Sequence, residues 1–105
     1  MAHYLVYARP IEERLSELAD ELEKGAFEDL EPFGKTITHS LKNARVTPEG
    51  RAVWEEEDYC SPPLAEERAA VLDRYFTTIT VKAVDEGHGW EQIDDLPPLL
   101  TRVQD

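Results

Sequence analysis

Residues 50–76 read GRAVWEEEDYCSPPLAEERAAVLDRYF, and they contain the strand and the helix beside which the other segments can be arranged. An apolar segment with four acids after it predicts a strand, strand three, from Arg51 to about Glu57. Ser61, Pro62 and Pro63 then open a second helix, because proline suits the first helical turn. The inner face of that helix is predicted to carry Leu64, Arg68, Val71, Leu72 and Tyr75. The stretch is one strand-to-helix crossover.

The N-terminal segment predicts a first strand and a first helix. His3 to Ala8 is rich in aromatic and β-branched residues, and Pro10 ends the strand because proline cannot extend a ladder. Neither face of this strand is polar, which is typical of a central strand covered on both sides. An apolar stripe at helical spacing follows, formed by Ile11, Leu15, Leu18 and Leu22. We expect this helix to end at about Lys24, before a glycine.

Residues 35–46 are interpreted as strand two, after a connection over residues 26–34. Ile37, His39 and Leu41 alternate with polar residues, which favours a strand with one apolar face. The apolar phase slips at Ala44, and an extra residue in a β-bulge near Lys42 would explain the slip. The turn residues Thr47-Pro48-Glu49-Gly50 then predict a hairpin between strands two and three.

The order of predicted elements specifies a fold class. Thr77 to Val84 is dense in threonine, isoleucine and valine and predicts strand four. The order βαββαβ is that of the ferredoxin-like α+β fold, a four-stranded antiparallel sheet with both helices on one face. Right-handed crossovers place strands one and three in the middle of that sheet. The chain is therefore expected to form one domain over residues 1–105, with its core at residues 3–84.

Residues 85–105 form an extension beyond this core. It contains a Gly-His-Gly joint at residues 87–89, followed by apolar residues too numerous for a free tail. These are Trp90, Ile93, Leu96, Leu99, Leu100 and Val103. We expect the extension to be buried against another surface.

Composition excludes several classes of partner. The chain has 105 residues, 41% of them hydrophobic, and a net charge of −12. Such a charge repels phosphate backbones, so neither nucleic acid nor an anionic membrane is an expected partner. The apolar N-terminal run is shorter than the roughly 20 residues that span a bilayer. With a single cysteine, the sequence favours a cytoplasmic protein without an internal disulfide.

The face of the sheet opposite the helices is the first candidate site. A face that carries aromatics such as Tyr7 would be an exposed apolar patch if water covered it. The C-terminal extension, a second subunit or a ligand must therefore cover this face. We favour a homodimer formed sheet to sheet, because symmetric dimers are the commonest assembly.

The acidic run Glu55-Glu56-Glu57-Asp58 offers hard oxygen ligands for calcium or magnesium. Successive strand residues point to opposite faces, however, so at most two of the four converge. A solvated or edge-protecting role is the favoured interpretation, and no metal site or cofactor is predicted. Cys60 precedes a helix, where a thiol can be activated, but nothing in the sequence identifies a base beside it, so a structural role is favoured.

A second set of candidates surrounds the predicted hairpin. His39 can act as a base near neutral pH, although a histidine at the rim of the core is the favoured alternative. Residues 35–51 carry four cations against one acid, a local charge of +3 in a chain whose remainder sums to −15. Arg45 can bind a small anionic ligand there, or the hairpin can dock on an acidic neighbour, which we favour. Trp54 and Tyr59 complete the proposed ligand-binding set.

The opening Tyr-Leu-Val-Tyr-Ala at residues 4–8, followed at once by a helix, resembles the dimeric α+β barrel superfamily of ferredoxin-like chains. The resemblance covers residues 3–84 and is one of topology. It implies a pocket between sheet and helices, without a specified chemistry. Two hypotheses follow: a non-catalytic assembly module that dimerises through its sheet face, which we favour, or a cofactor-free small enzyme or ligand binder that uses His39, Arg45, Trp54 and Tyr59.

Overall fold

The computed structural model describes residues 2–58 and 61–100 of the chain. Its strands are β1 (Ala2–Pro10), β2 (Arg45–Val46), β3 (Ala52–Asp58) and β4 (Phe76–Val84). Its helices are α1 (Leu15–Lys24, preceded by a 3₁₀ turn at Glu12–Arg14), α2 (Gly34–Lys42), α3 and α4 (His88–Ile93). Helix α3 runs through three parts, Ala65–Glu67, a π-helical turn at Arg68–Leu72 and Asp73–Tyr75. The chain is therefore of the α+β class.

The four strands form one sheet in the order β2-β3-β1-β4, and every neighbouring pair is antiparallel. The prediction that the first and third strands lie in the middle is confirmed. Strands β1 and β3 pair without interruption from Ala2 opposite Asp58 to Ala8 opposite Ala52. Val6, Trp54 and Leu5 are completely buried, as expected of central strands.

The prediction of a long second strand is wrong, because residues 34–42 form helix α2 and strand β2 has only two residues. Ile37, Leu41 and Ala44 are buried and lie four and three residues apart, which is helical spacing. The change of apolar phase at Ala44 is therefore explained by helical periodicity, and no β-bulge is present there. The hairpin itself is confirmed, since Arg45 pairs with Val53 and Val46 with Ala52.

Helix α2 lies along the outer edge of β3, where a longer second strand would have paired. The hydroxyl of Ser40 donates to the backbone carbonyl of Glu55 over 2.8 Å, which satisfies an acceptor that a strand partner would otherwise bond. Within the helix, the hydroxyl of Thr38 bonds back to the carbonyl of Gly34 at 2.7 Å. A β-branched residue is thus accommodated inside a helix.

Other elements agree with the predictions. Helix α1 ends at Lys24, and Gly25 has a φ of 72°, a left-handed conformation that favours glycine. Strand β3 ends one residue beyond the predicted bound, and the second predicted helix is present as α3. Strand β4 begins at Phe76, one residue earlier than predicted.

Each face of the central strands is covered by a different part of the chain. On one face, α1, α2 and α3 enclose the main core, which includes Val6, Trp54 and Phe76. On the opposite face, Ile93 of α4 packs on Leu5 and Val53. Within the described residues, the C-terminal extension thus covers part of the face for which a second subunit had been favoured.

The segment after α4 crosses to the far edge of the sheet. The Val46 amide donates to the Pro97 carbonyl at 2.9 Å, and the Leu99 amide donates to the Ala44 carbonyl at 2.9 Å. Arg45 and Pro98 form an isolated antiparallel bridge. The extension therefore closes the outer edge of β2. Among the described helices, none has the length and apolar character needed to cross a bilayer.

Candidate functional site: a carboxylate pocket at the end of strand β3

The acidic run of β3 alternates across the sheet. Glu55 and Glu57 lie opposite Leu5 and His3 of β1, whereas Glu56 and Asp58 lie on the other face, opposite Tyr4 and Ala2. The expectation that at most two of these acids converge on one side is consistent with this register. The favoured solvated role is wrong for three of them, because Glu55, Glu56 and Asp58 are 4%, 1% and 3% exposed.

Glu55 holds the N-terminus of helix α4. One carboxylate oxygen accepts the Gly87 amide at 2.8 Å, and the other accepts the Trp90 amide at 3.0 Å. The first amides of a helix have no partner within the helix, so a carboxylate there satisfies them and also opposes the helix dipole. His3 Nδ1 lies 3.5 Å from the same carboxylate. The cost of burying the Glu55 carboxylate is therefore offset by these two backbone amides and by the neighbouring His3 ring.

Glu56 is buried with far fewer partners. Its Oε1 accepts the indole N–H of Trp54 at 2.8 Å, while its Oε2 is buried without any hydrogen bond. Burial raises the pKa of the Glu56 carboxyl to about 8; the bond from Trp54 opposes this shift, and the nearby charges of Glu67 and Asp58 add to it. A carboxylic acid that remains protonated near neutral pH is a feature of functional sites.

Asp58 and Glu67 connect this buried acid to the start of α3. The Leu64 amide donates to Asp58 Oδ2 at 2.5 Å. Leu64 has a φ of 65°, a left-handed conformation that branched side chains rarely adopt, and the bond to Asp58 helps to hold it. Glu67 is 1% exposed and directly precedes the π-helical turn of α3. Turns of this type occur frequently at functional sites.

A cavity of about 220 Å³ opens beside these acids. It is lined by Pro32, Phe33, Thr36, Glu57, Asp58, Glu66 and Glu67. Pro32 and Phe33 precede α2 and form an apolar wall, while the carboxylates come from the end of β3 and the start of α3. We call this cavity the carboxylate pocket. Its size suits a small molecule, and its charge suits a cation.

Gly34 fixes the position of the apolar wall. A Cβ added at Gly34 would lie 2.3 Å from the Phe27 carbonyl oxygen and 2.7 Å from that of Glu28, closer than real contacts allow. Only glycine therefore lets α2 begin this close to the preceding loop. The Gly34 amide also donates to the Leu30 carbonyl at 2.6 Å. These backbone contacts place Phe33 beside the carboxylates.

Two of the predicted site residues meet elsewhere. His39 and Arg45 line a cavity of about 270 Å³, together with Asn43, Trp90 and Asp94. His39 is exposed, and its ring meets that of Trp90 edge on, with centroids 6.3 Å apart. Arg45 donates to the Leu96 carbonyl at 2.5 Å and to the Asp94 carbonyl at 3.4 Å. Its guanidinium thus joins the hairpin to the extension of its own chain.

The remaining predicted ligand residues do not join that cavity. Trp54 is completely buried in the main core, where its ring lies 5.1 Å from that of Phe76. The contribution of Trp54 is the hydrogen bond to Glu56. Tyr59 and Cys60 lie outside the described residues.

Sequence reasoning missed the acids that matter at the carboxylate pocket. Glu67 is not among the predicted site residues, and Glu56 was interpreted as part of a solvated or edge-protecting run. One signal was present, because Glu56 and Asp58 share the strand parity of Trp54, a large apolar side chain that favours burial. Within residues 2–58 and 61–100, no group of three or more His, Cys, Asp or Glu side chains is arranged to hold a metal ion.

Comparison of the chain with protein-family models, with curated proteins and with solved structures gives no match. The geometry of the described residues therefore carries the functional argument.

Proposed function

We propose that the protein is a small binding module that takes an organic cation, such as a primary or quaternary amine, in the carboxylate pocket. The observation that carries this proposal is the pairing of two walls in one cavity, an apolar wall at Pro32 and Phe33 and a wall of carboxylates. An amine presents both of the matching surfaces, a charged head and an apolar body. The aromatic face of Phe33 can also attract the cation.

Charge favours this class of ligand over the small anion considered from the sequence. The four acids that line the pocket, together with a net charge of −12, attract cations and repel anions. Asp58 and Glu67 are buried carboxylates at this pocket, and an ammonium group bound there would interact favourably with the negative charge of the lining acids. The pocket holds a ligand of a few heavy atoms, not an extended peptide.

The fold supports the proposed relation to ferredoxin-like chains. The four-stranded antiparallel sheet with helices is compatible with that arrangement, and a pocket lies between the sheet end and the helices. Helix α2 replaces most of the second strand and departs from that arrangement. We propose that such a module acts in the cytoplasm, in keeping with its acidic composition and single cysteine.

Dimerisation through the sheet face gains no support from the described residues, because Ile93 and Trp90 already pack on Leu5 and Val53. An enzymatic role for His39 gains no support from its ring contacts, which are with the Trp90 ring and the side-chain amide of Asn43. We therefore favour ligand binding over assembly through the sheet face or catalysis by His39.

The proposal is tested by titrating the protein with butylammonium, butanol and butyrate while amide chemical shifts are recorded by NMR. We expect only the cation to shift amides near Phe33, Asp58 and Glu66. The variant Glu66→Gln, at an exposed residue of the pocket, should weaken binding about fivefold by removing one charge. Equal responses to all three compounds, or no response to the cation, would overturn the proposal.

A matched control separates the pocket from the general charge of the protein. Glu91→Gln removes the same charge from an exposed position on α4, away from the pocket. Butylammonium should bind this variant as it binds the wild type. Equal weakening by Glu66→Gln and Glu91→Gln would show a nonspecific attraction to an acidic surface.

A further inference from the structure

Strand β4 forms an edge of the sheet. It is the last strand in the order β2-β3-β1-β4 and pairs with β1 on one side. No strand of the described residues pairs with its other side. Most of its nine residues are exposed, and Val81, 39% exposed, is the only large hydrophobic residue exposed in the described part of the chain.

The outer edge of β4 has little protection against pairing with another strand. Natural edge strands are usually protected by charges, proline, bulges or short length. Residues 76–84 contain no proline and no acid, and Lys82 is their only charge. A bulge is present, because Thr78 and Ile79 lie opposite the single residue Ala8. That bulge lies near one end, and the pairing of β4 with β1 is regular over residues 80–84.

The distribution of charge favours a second copy of this chain as the partner for this edge. Two molecules that each carry −12 repel one another over most of their surfaces. They can approach where acids are absent, and residues 74–84 contain two cations and no acid. An antiparallel edge can pair with its own copy about a two-fold axis, since the same residues then serve both partners. The β-branched side chains of 79–84 suit such pairing.

We propose that two copies of the chain associate by antiparallel pairing of residues 79–84 of strand β4, which joins their sheets into one of eight strands. The two-fold axis is perpendicular to the sheet, so the helices of both copies lie on the same side. Val81 of each copy then lies beside the β4 strand of the other. This interface is separate from the carboxylate pocket, and it differs from the sheet-face dimer considered from the sequence.

Sedimentation equilibrium over about three orders of magnitude in concentration, up to roughly 1 mM, tests the proposal. We expect a monomer–dimer equilibrium that tightens as salt is raised, because screening reduces the repulsion between the two acidic chains. Val81→Lys should weaken dimerisation about tenfold, since it places like charges together at the interface. Gln92→Lys makes the same change of charge on exposed α4 and should leave dimerisation equal to or slightly tighter than wild type.

Amide hydrogen exchange gives a second measurement that does not depend on a variant. Amides of residues 79–84 that face away from β1 should be protected at high concentration and exchange freely after dilution. A wild type that stays monomeric at every concentration would overturn the proposal. So would a dimer whose dissociation constant is the same in Val81→Lys and Gln92→Lys, or one that leaves those amides unprotected.

Discussion

Glu55 and Glu56 are neighbours in the sequence and are equally hidden from solvent, yet their surroundings differ completely. Glu55 points toward helix α4 and receives two backbone amides. Glu56 points toward the main core, where it receives one indole N–H and leaves an oxygen without a partner. Two further acids, Glu67 and Asp58, lie close to it. The two faces of one strand thus provide a carboxylate that caps a helix and a buried acid whose pKa is raised to about 8.

The difference shows that the donors around a buried acid, and not burial itself, decide its role. A helix N-terminus supplies oriented amides and a positive dipole, so a carboxylate can be ionised there at little cost. The opposite face supplies apolar side chains and other acids. A carboxyl group in such a place binds a proton more tightly, unless a cation occupies the adjacent pocket.

The largest effect is expected from Glu55→Ala, which leaves the Gly87 and Trp90 amides without their acceptor. Hydrogen bonds to a charged group contribute about 1.5–3 kcal/mol each, so we expect a loss of about 4 kcal/mol in the free energy of unfolding. Urea denaturation measures that loss. Faster hydrogen exchange over residues 87–93 would locate it at α4.

Glu57→Ala serves as the control on the same face. Glu57 is 33% exposed, and His3 Nε2 lies 3.8 Å from Glu57 Oε2. A partly exposed pair at this distance contributes about 1 kcal/mol at most. If Glu57→Ala cost as much as Glu55→Ala, capping of α4 by Glu55 would not explain the burial of Glu55.

A second effect, of similar order, is expected from the pH dependence set by Glu56. Its pKa is raised from 4.5 to about 8 on folding, so between these values the folded state holds a proton that the unfolded state releases. The contribution of Glu56 to the free energy of unfolding is therefore fully present below about pH 4.5. It decreases by up to about 1.4 kcal/mol per pH unit as the pH rises and is lost once the pH has passed through 8. Over the whole interval between these two pKa values, the loss of unfolding free energy is on the order of a few kcal/mol.

Glu56→Gln isolates this contribution, because the amide does not titrate and its oxygen can still accept the Trp54 N–H. The slope of unfolding free energy against pH between 5 and 8 should be more negative in the wild type than in the variant. Urea melts at several pH values measure both slopes. Equal slopes would mean that Glu56 is ionised in the folded protein.

Much of the fold could be predicted from the sequence where periodicity had only one interpretation. The stripe of α1, the turn at residues 47–50 and the aromatic and β-branched residues of β1 each specified one local structure, and each is present. The prediction for residues 35–46 was wrong because the spacing of Ile37 and Leu41 fits both a strand and a helix. Their β-branched neighbours favoured a strand, but packing of Ile37, Leu41 and Ala44 into the core favoured the helix.

The candidate site was harder to predict because it depends on contacts distant in sequence. Glu55 lies 32 and 35 residues from the amides that it accepts. The wall at Phe33 meets carboxylates of β3 and α3 only after the sheet has formed. The alternation of the four acids between two faces could be predicted, whereas the burial of Glu55, Glu56 and Asp58 depends on the distant segments that cover each face.

Direct titration of the Glu56 side chain tests the account most closely. The δ-carboxyl carbon of Glu56, assigned by comparison with Glu56→Gln, can be followed by ¹³C NMR in the folded protein as the pH is raised. We predict a midpoint close to pH 8, in keeping with a buried acid beside Glu67 and Asp58. A midpoint near its ordinary value of 4.5 would contradict the distinction drawn between the two faces of β3.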